Sequence, residues 1–205
     1  MSRTSLTTVL SALALASAAF SVGATLAAGA PSAQLGAPAP DFSLSDQSGK
    51  IVSLSSFAGK VVVLEWANPD CPFVVRHYKA NTMTGLAKKY AGQGVVWLAI
   101  NSSHYAGVEA NKKFADQYGV AYPVLDDHTG VVGKAYGART TPHMFVIDKA
   151  GKLVYQGAID DDASGEKQGQ GANFVVQALD AALAGKAVAT AETKSYGCSV
   201  KYGKQ

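Results

Sequence analysis

Two cysteines, Cys71 and Cys198, are the residues of this 205-residue chain best suited to covalent chemistry. A cysteine reacts through its thiolate, so the surroundings of each sulfur decide what it can do. Cys71 follows the apolar run Val61-Val62-Val63-Leu64-Glu65-Trp66 and the breaking segment Asn68-Pro69-Asp70. Pro72 comes next and suits the first position of a helix, where its missing N–H is not needed. Cys71 therefore reads as the residue at a strand-to-helix junction. The unpaired N–H groups and partial positive charge of a helix start favour a thiolate over a thiol. At about 100° per residue, Val74, Val75 and Tyr78 share the side of Cys71, while Arg76 and His77 point elsewhere. His77 thus reads as a surface or packing histidine and not as a base for the sulfur. The competing reading of Cys71 is an inert buried thiol or half of a structural disulfide.

Other chemistries find little support. His77, His104, His128 and His143 show no metal-ligand spacing, so neither a metal nor a cofactor is expected. Asp160-Asp161-Asp162 reads as a solvated loop, with a bound cation as its alternative. There is no phosphate-cradling loop, dinucleotide fingerprint or Ser-His-Asp pattern. The 18 Lys and Arg against 15 Asp and Glu leave a formal charge of +3 without a basic run, which argues against nucleic acid as a partner.

The positioning elements follow from periodicity. Residues 41–54 alternate apolar and polar around turn chemistry and predict a β-hairpin. Residues 61–66, 95–100 and 143–147 are apolar runs expected of strands buried on both faces. Met83, Leu86, Ala87 and Tyr90 extend a helical period from Cys71 to Tyr90, ended by Gly92 and Gly94. Residues 109–118 and 131–136 read as further helices. A turn at 148–151 leads into a returning strand from Lys152. Residues 160–171 read as a polar mobile loop, and 172–184 as the last helix. Pro142, in Thr140-Thr141-Pro142-His143, reads as a turn device before a strand, and the pattern alone favours a trans bond. Alternating strands and helices with a closing hairpin predict an α/β fold around a mixed central sheet.

The first thirty residues differ in kind. Arg3 is their one charge, an apolar stretch spans residues 9–16, and small residues follow. This predicts a signal peptide over 1–30, cleaved between 24 and 33, with a membrane anchor as the alternative. The strongly apolar part falls short of the roughly 20 residues that spanning needs. The mature chain, a domain at 31–185 and a tail at 186–205 carrying Cys198, would be periplasmic or secreted and free of the membrane. That compartment permits disulfides. Two cysteines allow one intramolecular pairing.

Several motifs occur in a fixed order. They are Ala37-Pro38-Ala39-Pro40-Asp41-Phe42-Ser43-Leu44, then Phe57-Ala58-Gly59-Lys60, then Trp66-Ala67 ahead of Cys71-Pro72. Thr141-Pro142-His143-Met144-Phe145-Val146-Ile147-Asp148 and Gly151-Lys152-Leu153-Val154-Tyr155-Gln156-Gly157 follow. From Gly36 to Gly185 the chain resembles the redoxin branch of the thioredoxin superfamily. That branch holds the alkyl-hydroperoxide-reductase and thiol-specific-antioxidant proteins, which are peroxiredoxin-like. The resemblance implies a thioredoxin-like fold with an N-terminal hairpin extension. Cys71 would be the reactive cysteine and Thr141-Pro142 a cis peptide beside it, its backbone free to pair with an extended partner. Asn68, Pro69, Pro72, Thr141 and Pro142 would contact the substrate. That substrate would be a peroxide or a thiol/disulfide, with a protein thiol as reductant, acting on a monomer or homodimer.

Three positions depart from the related patterns. Val74 stands where thioredoxins carry a second cysteine, and Asn68 where peroxiredoxins carry Thr or Ser. Val75 stands where copper-delivery relatives carry a cysteine. An activating arginine is left open between Arg76 and Arg139. Cys198 would serve either as a resolving cysteine or as one end of a static clamp, and both place it against Cys71. The function expected is an exported thiol oxidoreductase with antioxidant character. The alternatives are a scaffold domain locked by a Cys71–Cys198 disulfide and a thiol carrier for envelope assembly.

Overall fold

A computed structural model describes residues 1, 32–167 and 169–204. Residues 2–31, which hold the expected signal peptide and most of its cleavage window, lie outside the described residues. No helix among the described residues is long and apolar enough to cross a membrane.

The apolar runs form the middle of the sheet. β3 (Val62–Trp66) is buried at every position and pairs in parallel with β4 (Val96–Asn101). On its other side it pairs antiparallel with β7 (His143–Ile147), which turns into β8 (Leu153–Gly157). The hairpin of β1 (Ser43–Ser45) and β2 (Ile51–Ser53) joins the far edge through β5 (Val124–Asp126). The order is β2-β1-β5-β4-β3-β7-β8. The N-terminal hairpin thus extends the central sheet at its far edge. β5 escaped the sequence reading because three residues behind Pro123 show no alternation.

Parallel neighbours require crossovers on the sheet faces. α1 (Pro72–Lys79) and α2 (Thr82–Ala91) connect β3 to β4, and α3 (Val108–Tyr118) connects β4 to β5. The single helix expected over 71–90 is therefore two. Asn81 adopts φ 53°, a left-handed conformation that asparagine tolerates better than most residues. The core side survives the break, since Val74 and Tyr78 of α1 and Met83 and Tyr90 of α2 enter one apolar cluster. That cluster also takes in α5 (Phe174–Leu183), capped by Asn173, whose side-chain oxygen accepts from the Val176 N–H at 2.9 Å. The opposite face packs Val62, Leu64 and Trp66 against Val132 and Tyr136 at α4 (Val131–Ala135).

The loop expected to be mobile is anchored. Arg76 donates to the carbonyls of Asp162 (2.8 Å) and Ala163 (3.1 Å), and Asp162 is buried, so the loop after β8 is tied to α1. The tail returns across the molecule. Its strand β9 (Cys198–Ser199) pairs antiparallel with β6 (Thr140–Thr141) as a separate two-stranded sheet.

Candidate active site

Cys71 sits where β3 gives way to α1, at the carboxyl end of the central strand. Asn68 shapes the approach. Its side-chain oxygen accepts from the Asp70 N–H at 2.8 Å, and its carbonyl accepts from the Cys71 N–H at 3.0 Å. The Asn68 amide donates to the Tyr105 hydroxyl at 3.1 Å. This buried side chain therefore organises the turn with both of its polar atoms. Cys71 takes the N-cap position and Pro72 opens the helix, as the local sequence requires. Pro72 is exposed and Pro69 half-buried beside it.

The other wall comes from the Thr141-Pro142 peptide, which is cis. Thr141 and Pro142 are buried, and the Thr141 carbonyl accepts the Cys71 thiol at 2.9 Å. The Thr141 hydroxyl is buried with no partner among the described residues. The Thr141 backbone is not free, as the family resemblance implied. It is paired with Cys198. The pairing carries Cys198 Sγ to 2.8 Å from Cys71 Sγ, across 127 positions of chain, with both thiols unbonded. The pair is close enough to join in a disulfide once an oxidant removes two electrons and two protons.

The two sulfurs are not equivalent. Burial pushes the Cys71 thiol up, but hydrogen bonding from Cys198 and from the Val74 N–H outweighs it and leaves Cys71 below the usual range. Burial and then the hydrogen bond to Cys71 raise Cys198 to about 11. Of the two thiols, Cys71 is therefore the one shifted toward the thiolate, the form in which a cysteine reacts.

The histidine geometry follows the helical wheel. His77 Nε2 meets the Tyr196 hydroxyl at 2.9 Å. It is buried, as a packing residue. Arg76 is committed to the carbonyls of the loop after β8. Arg139 offers its carbonyl to the Val200 N–H at 3.0 Å. Among the described residues no cluster of three His, Cys, Asp or Glu side chains is arranged to hold a metal. A groove of about 840 Å³ opens between α2 and the start of β4, but neither cysteine lines it.

Sequence reasoning missed the residues that seat the tail, Tyr196, Tyr202, Gly130 and Gly133. The one legible signal was the Tyr-Gly-Cys order at 196–198, an aromatic and a glycine directly before a cysteine. It also passed over Glu65, buried in β3. Trp97 Nε1 donates to Glu65 Oε2 at 2.9 Å, while Oε1 has no partner among the described residues.

This mixed sheet, with a cysteine thiol at a helix start and a cis-proline peptide against it, defines a thioredoxin-superfamily domain. The comparisons narrow the class. The profile of the AhpC/TSA family matches residues 35–156. The chain is 34% identical to the thiol-disulfide oxidoreductase ResA of Geobacillus thermodenitrificans over 147 residues, 71% of this chain and 82% of that one. Among solved structures, a hypothetical protein of Sinorhizobium meliloti 1021 superposes with a TM-score of 0.76 at 34% identity, covering 85% of this chain and 97% of that one. A putative thiol:disulfide interchange protein DsbE of Chlorobium tepidum gives 0.61 at 28% identity, covering 74% and 99%. The chain belongs to the AhpC/TSA family.

Proposed function

We propose that the chain is a thiol-disulfide oxidoreductase that uses Cys71 as nucleophile and Cys198 as resolving thiol. The observation that carries this reading is the pair of unbonded sulfurs 2.8 Å apart with oppositely shifted acidities. The Cys71 thiolate attacks one sulfur of a substrate disulfide, forming a Cys71 mixed disulfide and expelling one substrate thiolate. Cys198 then gives up its proton and attacks the Cys71 sulfur. The second substrate thiolate leaves, and a Cys71–Cys198 disulfide remains. The substrate has gained two electrons and the protein has lost two. An external protein dithiol restores the reduced pair.

Two observations favour a disulfide over a peroxide as substrate. Position 68 offers no hydroxyl, and the Asn68 amide is engaged by Tyr105. A peptide strand already lies beside the sulfur. Pro69, Pro72, Thr141 and Pro142 line the approach to Cys71 and supply the substrate contacts. The N-terminal stretch directs export, which places the thiol pair in the periplasm or outside the cell.

The test is a titration of the purified protein in glutathione redox buffers, with the thiol state read by mass spectrometry. One reversible two-electron Cys71–Cys198 couple is expected, and it turns over a dithiol-disulfide substrate. A disulfide that no glutathione ratio reduces would make the pair a static clamp. Consumption of peroxide without disulfide turnover would move the protein to the peroxidase side of its family.

A further inference from the structure

Residues 195–203 lie along the body as a bound peptide lies in a groove. Thr141 pairs with Cys198 and Thr140 with Ser199. The Val200 N–H donates to the Arg139 carbonyl at 3.0 Å, and the His104 N–H to the Lys201 carbonyl at 2.9 Å. Main-chain pairing of this kind is how an extended peptide adds to an open sheet edge, with side-chain pockets supplying selectivity.

Such pockets flank Cys198 on both sides. Two residues before it, the Tyr196 hydroxyl donates to Asp160 at 2.5 Å and meets His77 Nε2 at 2.9 Å. The Tyr196 ring lies 6.1 Å from that of Phe73, and the Arg76 guanidinium stands 5.9 Å from its centroid. Directly before the cysteine, Gly197 has φ 118°, and a Cβ there would overlap the Thr141 carbonyl oxygen. Four residues after it, the Tyr202 hydroxyl donates to the Ala138 carbonyl at 2.8 Å. The Tyr202 ring fills space that two glycines leave open. A Cβ on Gly130 would stand 2.6 Å from the ring, and one on Gly133 2.5 Å from the hydroxyl.

We propose that this groove is a partner-docking surface and that the tail occupies it as an internal copy of the partner strand. The partner is a protein that presents an extended, cysteine-bearing segment antiparallel to β6. Its preferred sequence follows the tail, with tyrosine two residues before the cysteine, glycine directly before it and tyrosine four after. The inference rests on the oxidoreductase reading, because the partner cysteine meets Cys71. The tail competes with the partner as a tethered strand, at an effective concentration of about millimolar.

The experiment uses the full chain with Cys198→Ser and synthetic peptides copying residues 194–203, supplied at concentrations that outcompete the tail. Each peptide cysteine is capped as a mixed disulfide with 5-thio-2-nitrobenzoate. The Cys71 thiolate attacks the peptide sulfur, a Cys71–peptide disulfide forms, and coloured thionitrobenzoate leaves. The copy peptide is expected to react about ten-fold faster than one with alanine for its glycine, as expected for a lost fit of roughly 1.4 kcal/mol. A similar preference over a peptide with alanine for its last tyrosine is expected, and Gly133→Ala abolishes it. Should Gly133→Ala fail to fold, Asp160→Ala serves instead by erasing the preference for tyrosine over phenylalanine two residues before the cysteine. The small disulfide 5,5′-dithiobis(2-nitrobenzoate) is the control. If it reacts while the peptides react alike or not at all, the docking surface is wrong and the oxidoreductase reading stands. If it too is inert toward Cys71, the oxidoreductase reading falls and takes the docking surface with it.

Discussion

Cys71 and Cys198 meet across 2.8 Å, yet the body and the tail hold them by different means. Cys71 follows a strand buried at all five positions and heads a helix whose inner face is Val74 and Tyr78. Its place is set by burial of apolar area, at about 25 cal/mol per Å². Cys198 lies on a two-residue strand held by edge hydrogen bonds and two tyrosine sockets. Each such hydrogen bond is worth only about 1 kcal/mol net. Cys71 is built into the core, and Cys198 is attached by contacts that can be given up singly. The mixed-disulfide mechanism we propose uses this division, with the substrate entering where the tail now lies.

The comparison breaks outright if the two cysteines behave alike. Cys71→Ser should lower disulfide turnover by about a thousand-fold or more, since the thiolate is the nucleophile. Cys198→Ser should retain the first attack and accumulate a Cys71 mixed disulfide visible by mass spectrometry. Equal loss of that first attack in both variants would remove the division of roles.

The body side carries a pH signature at Glu65. Burial raises Glu65 from 4.5 to about 7. Below pH 4.5 the carboxyl is protonated in folded and unfolded chains alike. As pH rises toward 7 the unfolded chain ionises first, so stability falls, by about 3 kcal/mol once pH exceeds the folded value. Glu65→Gln should remove this contribution: in urea denaturation wild type should lose about 3 kcal/mol relative to the variant between pH 4 and 8, while His143, which burial lowers to about 4, contributes with the opposite sign in both proteins. Tail variants should leave it in place.

Smaller effects sharpen the tail side. Gly197→Ala should unpair β9 from Thr141 and speed alkylation of Cys71 by iodoacetamide about ten-fold, because Cys71 is 1% exposed with the tail seated against it. Tyr202→Phe loses one hydrogen bond of about 1 kcal/mol. It should weaken the Cys71–Cys198 disulfide against glutathione by roughly five-fold, with the alkylation rate nearly unchanged.

Much of the body was legible because its signals are local. The apolar run at 61–66, the break at 68–70 and Pro72 together place Cys71 at a helix start without reference to any distant residue. The break at Asn81 was hidden because the apolar period runs on across it. β5 was too short to show a period. Tyr196 and Tyr202 sit in a polar tail without periodicity, and their sockets are made by residues 36 and 64 positions away, Asp160 and Ala138.

The sequence by itself determined the order of the central elements, the placement of Cys71 and the pairing open to two cysteines, since each follows from residue type and short-range spacing. Only the tertiary structure decided that the Thr141 edge is taken by the chain's own tail, and that Cys71 is the more acidic thiol of the pair. Both depend on which distant groups surround a sulfur once the core is closed.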